Sequence, residues 1–327
     1  MNERSAATVR AGEVDLVAIG ETMALLSAPE VGRLRDMASL RLSVAGAESN
    51  VAIGIRRLGY RSSFIGRVGS DEFGQLILEQ LRKEGVDVEA AVRDEEAKTA
   101  LMFKERRTSD VVRVTYYRHG FAGSRLAPGD LVPARIEGAA ILHVTGILLA
   151  LSPSTRATLY RAVELARGAG RMVSFDLNYR AALWSAEQAR SELQTFAGKA
   201  DLVFAGEDEL ALLDPRREPI AIAQHLLEEG TQEVIVKRGS AGAISVTKEA
   251  LVEEPAVPVH SVDPVGAGDA FVAGYLAGLL DGEPAPGRLR LGCAAGAFAV
   301  TVLGDWEGLP SREDLVLLGR GSGTTLR

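Results

Sequence analysis

Two glycines and a carboxylate meet at the start of an apolar helical run in Asp263–Phe271, which reads "DPVGAGDAF". Gly266 and Gly268 allow an anion to approach the backbone closely. The helix expected over 270–280 turns its unpaired N–H groups and positive dipole end to the same place. A carboxylate beside a bound polyphosphate is repelled unless it has a task, and Asp269 is suited to taking a proton from an attacking hydroxyl. The competing reading is a turn and helix cap, with Asp269 accepting from the first turn. This segment alone does not decide between them, and no Gly-Lys-Ser/Thr follows to make it a Walker loop.

Other segments add weaker signals. "AGAESNVAIGIRRLG", 45–59, sets a Gly-containing turn before a helix with Glu48 and Asn50 near its start, where Asn50 also reads as a helix-start residue. "GRVGSDEFG", 66–74, and "VKRGSAGA", 237–243, are glycine turns at strand ends. Arg118 and Arg180 each follow an extended run, and two guanidinium groups can hold a carboxylate through paired hydrogen bonds. A surface ion pair is the plainer reading of either one.

The elements that position these residues are legible from period and punctuation. "VDLVAIG", 14–20, reads as a buried first strand, and similar short apolar runs recur at 139–145, 172–177, 201–204 and 234–237. Helical patterns at 154–167 and 187–196 lie between them, with Ser154 the expected N-cap of the first. Strands alternating with helices predict an α/β fold with a mostly parallel, doubly wound sheet. Segments 23–43 and 98–117 break the rhythm, with alternating strand-like runs and no helix, and predict a small exposed sheet that could act as a lid.

Composition bounds the function. The chain has 327 residues, 46% hydrophobic and 25% charged, with a formal charge of −7, which argues against a nucleic-acid partner and for a small molecule. One cysteine, Cys293, excludes an internal disulfide, and four scattered histidines lack zinc-ligand spacing. No signal segment or membrane-length apolar run is seen, so a cytoplasmic location is expected.

Taken together and in order, the segments at 45–59, 237–243 and 263–271 resemble the PfkB, or ribokinase-like, sugar kinases over nearly the whole chain. The resemblance implies a three-layer αβα core with a small β-sheet lid, a domain over 13–318, a lid from 22–44 and 96–118, and loose tails at 1–12 and 319–327. It implies that Gly266, Ala267 and Gly268 form an anion hole, that Asp269 is the catalytic base, and that ATP lies against the C-terminal helices. Lys237, Gly239 and Gly242 then fall in the nucleotide-binding turn and Cys293 near the adenine. Glu209 stands in the family's Asn-x-x-Glu motif and implies a Mg2+ contact through water; as a plainer reading it is an exposed helix-start acid. K+ near the Asp263 loop is a further implication.

Within the family, "GAESNVA", "YYRHGFAGSRL" and "FDLNYRAALWS" are similar to 2-keto-3-deoxygluconate kinases. That similarity implies sugar-acid contacts at Gly46, Asn50, Met102, Tyr116, Arg118, Arg180 and Asp269, and transfer to the primary hydroxyl. The chain departs from the pattern at Ala45 for the first glycine of a pair, Gly206 for asparagine, Pro264-Val265 for a Thr-containing pair, Cys293 for asparagine and Met102 for tyrosine. Ala45 would restrict the turn if that position required positive φ. Rival readings are a kinase for fructose, ribose or 2-keto-3-deoxygalactonate, and a non-catalytic sugar sensor on the same scaffold. A dinucleotide oxidoreductase is disfavoured, because Glu21-Thr22-Met23 follows Gly20 where a Gly-x-Gly-x-x-Gly turn would be required. An exposed lid edge makes a homo-oligomer the expected state.

Overall fold

A computed structural model describes residues 14–108 and 111–319. The expected tails lie outside the described residues, apart from Gly319. The main sheet has eight strands in the spatial order Leu251–Glu254, Ala243–Val246, Glu233–Lys237, Leu202–Gly206, Met172–Asp176, Ile141–Thr145, Leu16–Ile19 and Ser62–Ile65. The last six run parallel to one another, and the first two form an antiparallel edge.

Strand alternation divides the core between the two faces of this sheet. Val17, Ile19, Val203 and Ala205 point to one apolar cluster, whereas Leu16, Ala18, Leu202 and Phe204 point to the other. Helices Pro153–Gly168, Ala186–Ala197 and Pro219–Glu228 cover the first face; Ala47–Arg57, Glu72–Lys83, Ala267–Leu280 and Ala285–Ala299 cover the second. The layers are therefore α, β and α, as anticipated.

The five anticipated core strands form, and the anticipated helices form with small shifts at their ends. Ser152, not Ser154, caps Pro153–Gly168: its Oγ accepts from Thr155 N at 3.1 Å, and Pro153 at the first helical position suits a fixed φ. The apolar helix begins at Ala267 rather than 270, so Asp269 lies inside its first turn and Gly266 is the N-cap.

A second, smaller sheet joins Arg41–Ala45, Met23–Val31, Leu101–Arg106 and Val112–Tyr117 in that order. Its inner face carries Met23, Leu25, Ala45, Ala100 and Met102, with Tyr116 and Phe121 packed on them. Ala45 is the last residue of its strand, paired with Met23, and is not at positive φ, so alanine is accommodated there without strain.

Inside the main sheet the chain crosses from Leu16–Ile19 to Ser62–Ile65 on one side and then to Ile141–Thr145 on the other. Such a reversal opens a crevice at the carboxyl ends of the strands, where α/β folds place their ligands. Gly20, Glu21, Thr145, Asp176, Gly206 and Lys237 all stand at this edge.

Candidate active site

The site is assembled where helix Ala47–Arg57 crosses helix Ala267–Leu280. Their close approach is set by Gly54, where a Cβ would lie 2.5 Å from that of Ala273. That crossing brings Asn50 Nδ2 to 2.8 Å from Asp269 Oδ2. Asn50 is buried, and its other side-chain atom, Oδ1, has no partner. It is therefore no helix cap, because Gly46 holds that place and the Asn50 side chain is turned to the other helix.

Asp269 sits at the third position of its helix. The first α-helical hydrogen bond there is Ala270 N to Gly266 O at 2.9 Å, which leaves the amides of Gly268 and Asp269 without an intrahelical acceptor. Gly266 is in the left-handed region at φ +81°, and a Cβ there would lie 2.0 Å from the Asp305 carbonyl oxygen, so only glycine fits. Gly268 is less constrained: a Cβ would find only Lys237 Nζ, at 3.8 Å. Lys237 therefore stands beside the exposed amides. Its ammonium is 2.6 Å from Asp176 Oδ2. Burial alone would lower its pKa, but Asp176, Glu209 and Asp269 outweigh that and raise it, so the lysine is held charged.

Asp269 shows the opposite balance. Burial first, then the nearby carboxylates of Asp305 and Asp176, raise its pKa to about 8 against the opposing effects of Asn50 and Arg180. Asp305, in the turn after helix Ala285–Ala299, is itself raised to about 6 by burial and by Glu307 and Asp263, with Lys104 and Asn50 opposing. Sequence reading missed Asp305, since a Gly-Asp turn after a helix carries no distinguishing signal.

Glu209 has both carboxylate oxygens engaged. Oε2 accepts from Gly206 N at 2.7 Å and Oε1 from Tyr179 N at 2.8 Å. Direct coordination of a metal would disturb both bonds, whereas a contact through water fits the remaining lone pairs. Gly206 is extended, φ −75°, so its backbone does not require glycine. Among the described residues no three acidic, His or Cys side chains converge as a metal site, and a magnesium ion here would need phosphate oxygens and water to complete its shell.

The turn expected to receive the nucleotide is present. Gly239 and Gly242 have φ of +55° and +94°, and a Cβ at Gly242 would lie 2.1 Å from the Glu254 carbonyl oxygen. Cys293 is buried on helix Ala285–Ala299, and burial followed by the charge of Glu254 pushes its thiol up to about 11. Glu254 and Arg238 act on it from the glycine-turn side, so Cys293 and that turn adjoin.

The small sheet presents Met102 directly opposite Tyr116, with Leu25 on its other side. Gly46 lies against the first strand's exit, where a Cβ would be 2.4 Å from the Glu21 carbonyl oxygen.

The two arginines stand in different settings. Arg118 is buried, ion-paired with Glu21 and stacked 5.3 Å over the ring of Tyr116. Its Nε has no hydrogen-bond partner. Beside it Glu48 accepts from Thr145 Oγ1 at 2.6 Å, and burial raises Glu48 to about 7. Neither glutamate was anticipated as a partner. Arg180 is exposed and donates to the Tyr179 carbonyl at 3.1 Å, yet its charge reaches Asp269. The strand exit that sets it there passes through Asn178 at φ +39°, a conformation asparagine tolerates.

A buried carboxyl group of raised pKa, exposed helix-start amides and a charged lysine are the groups that a phosphotransferase acting on an alcohol uses. Residues 14–312 match the model of the pfkB family of carbohydrate kinases. The chain belongs to that family and is a sugar kinase, and ATP use with Mg2+ follows from membership. It is 39% identical over 307 residues to the 2-dehydro-3-deoxygluconokinase of Bacillus subtilis, covering 93% of this chain and 94% of the relative. It is 34% identical to the 2-dehydro-3-deoxygalactonokinase of Haloferax volcanii, covering 94% and 98%. A putative ribokinase II from E. coli, solved in complex with ATP and Mg2+, superposes with a TM-score of 0.86 at 26% identity, covering 93% of this chain and 98% of that one.

Proposed function

We propose that the chain is a cytoplasmic ATP-dependent kinase of 2-keto-3-deoxygluconate that phosphorylates the C6 hydroxyl and releases 2-keto-3-deoxy-6-phosphogluconate. The observation that carries this reading is the 2.8 Å contact between Asn50 and Asp269 at the amino end of Ala267–Leu280. It unites the two segments that sequence reading singled out and fixes the carboxylate beside unsatisfied amides. The likeness to gluconate-type keto-acid kinases supports the choice of acceptor.

In this reading Asp269 takes the proton of the primary hydroxyl as its oxygen forms the new P–O bond. The bond between the β–γ bridging oxygen and the γ-phosphorus breaks, and ADP leaves with that oxygen. A base whose pKa lies near the working pH is efficient, and its elevation by burial and Asp305 serves that end. The free amides of Gly268 and Asp269, the turn at Gly266–Ala267 and the Lys237 ammonium stabilise charge on the transferring phosphoryl oxygens, the Ala267 amide itself donating to the Pro264 carbonyl at 3.4 Å. Glu209 would hold Mg2+ through water, and the ion bound with the nucleotide would neutralise phosphate charge. Gly239, Gly242 and Cys293 line the nucleotide side.

On the acceptor side, Asn50 orients the sugar together with Gly46, Met102 and Tyr116, and the small sheet closes over it as a lid that excludes water. Arg180 supplies the exposed guanidinium for the acid's carboxylate. Arg118 contributes its unpartnered Nε while Glu21 keeps it in place. Self-association through the edge strand Val112–Tyr117, whose Tyr117 is exposed, belongs to the same proposal.

The galactonate epimer is the second reading, favoured by the likeness to a 2-dehydro-3-deoxygalactonokinase. The test is phosphorus and carbon NMR of the product made from each keto-acid. Phosphorus coupled to C6 of the gluconate product is expected. Coupling to another carbon, or turnover confined to the galactonate, would replace the proposal.

A further inference from the structure

Lys104 lies on the small-sheet strand Leu101–Arg106 and reaches out of that sheet to the loop before the glycine turn. Its Nζ is 2.6 Å from Asp263 Oδ2, and the two side chains are only 6% and 2% exposed. Asp263 stands three residues before Gly266. The same Oδ2 accepts from Gly304 N at 3.3 Å, and Oδ1 accepts from Val265 N at 3.3 Å. Arg106, two residues further along the strand, donates to the Val262 carbonyl. Val262 N and Asp263 N both donate to the Val300 carbonyl, at 2.7 and 3.1 Å. The loop beneath the glycine turn is thus closed upon the segment after Ala285–Ala299, and its outward acceptors face two cations from one strand.

The electrostatic setting gives this pair a role beyond fastening. Glu307 and Asp263 raise Asp305, and Asp305 raises Asp269, at the amino end of the helix read as the phosphate site. Among the influences on Asp305, Lys104 opposes the carboxylates. A single positive charge at Asp263 offsets this negative density, and it can come from a bound metal ion or from an ammonium group of similar charge and size. Here the ammonium is part of the chain.

We propose that Lys104 is a positioning residue that supplies, at Asp263, the fixed positive charge a monovalent cation such as K+ would otherwise provide. Phosphoryl transfer by this protein is then independent of K+, and the small sheet is keyed to the glycine turn through one buried ammonium. The proposal rests on the reading of Gly266–Gly268 as the phosphate site. It also sets aside the expectation of K+ near the Asp263 loop, since the carboxylate that would hold the ion is already engaged.

The test compares initial rates of ADP formation, ATP affinity by calorimetry and melting midpoints in KCl, NaCl and tetramethylammonium chloride at equal ionic strength. Wild-type protein is expected to give the same values in all three salts. K104A is expected to lose about ten- to a hundredfold in rate in tetramethylammonium chloride, and to regain much of it, saturably, with KCl or NH4Cl. Its melting midpoint and ATP affinity should rise with the same salts. The K104M/D263N double variant removes both charges without leaving a buried carboxylate unpaired, and should be folded and indifferent to the cation.

Strong activation or thermal stabilisation of the wild type by K+ over tetramethylammonium would overturn the proposal. So would a folded K104A that no cation restores, or one that is fully active without any. If K104A is unfolded in tetramethylammonium and no cation refolds it, Lys104 is a structural fastener and the proposal fails. ATP affinity and melting are read without an acceptor, so an error in the assigned sugar would leave this test intact. An error in the phosphate site would show separately, as retained ATP affinity and turnover in G266A.

Discussion

Asn50 and Asp269 are 219 residues apart in sequence, and their side chains meet at 2.8 Å. Two helices bring them together, and neither side chain serves its own helix as a cap. The consequence is a carboxylate oriented by an amide beside the unpaired helix-start amides of Gly268 and Asp269.

Asp269→Asn is expected to lower kcat by about 10²–10⁴-fold, the range for loss of a general base, with ATP affinity nearly unchanged. The sign of its effect on stability is opposite. The folded-state pKa of Asp269 is about 8, above the ordinary 3.8. Its contribution to stability is therefore full at low pH and is lost as pH rises through about 4 to 8. Denaturation of wild type and D269N at pH 6 and pH 9 should show the variant relatively more stable at pH 9. Near-normal kcat in a folded variant would remove Asp269 from the role of base.

Asp305→Asn takes away the largest charge acting to raise Asp269, second only to burial. The acid limb of the kcat/KM profile should move to lower pH by about half a unit or more, with the enzyme still active. Because the two carboxyls interact, the measured limb belongs to the pair. An unmoved limb would mean that a different group controls it.

Gly266→Ala and Gly268→Ala separate backbone need from phosphate approach. At Gly266 the left-handed φ and the Asp305 carbonyl at 2.0 Å from a Cβ both forbid alanine. A loss of ~1–3 kcal/mol in stability, with collapse of turnover, is expected from strain of this kind. Gly268→Ala meets only the tip of Lys237 and should fold normally, while Gly268→Val should lose turnover by intruding on the phosphate. Chemical denaturation alongside kinetics distinguishes the two positions.

The arginines should part company. Arg118→Met leaves Glu21 buried and unpaired, so a stability loss of ~3–5 kcal/mol is expected. Arg180→Met removes an exposed side chain and should fold within about 0.5 kcal/mol of wild type. It should nonetheless weaken use of keto-acids by ~2–5 kcal/mol in transition-state terms and spare neutral sugars. Equal loss on both substrate types in R180M would exclude a carboxylate contact.

Much of this architecture was legible because its signals are local. Short apolar runs separated by helical patterns marked the parallel strands, and the alternation of 23–43 and 98–117 marked the second sheet. Asp263–Phe271 announced the helix start, although its N-cap lay at Gly266 because the left-handed turn, not the aspartate, begins the helix. What remained hidden depends on contacts across the fold. Nothing near Arg118 in sequence shows that Glu21 pairs with it, and nothing near Lys237 names Asp176. Nothing near Lys104 in sequence shows that its ammonium meets Asp263, 159 residues away. The Arg118–Arg180 pair illustrates the limit most clearly: residue type indicated carboxylate binding, but only burial shows that one arginine already has a carboxylate.

The most direct measurement is kcat/KM for ADP formation by purified wild-type protein with Mg2+ and ATP, using 2-keto-3-deoxygluconate, 2-keto-3-deoxygalactonate, fructose and ribose as acceptors. The expected result is highest kcat/KM with 2-keto-3-deoxygluconate, and a fall of about 10²–10⁴-fold in turnover with every acceptor in D269N. Preference for fructose or ribose, or near-normal acceptor-dependent turnover in folded D269N, would contradict it.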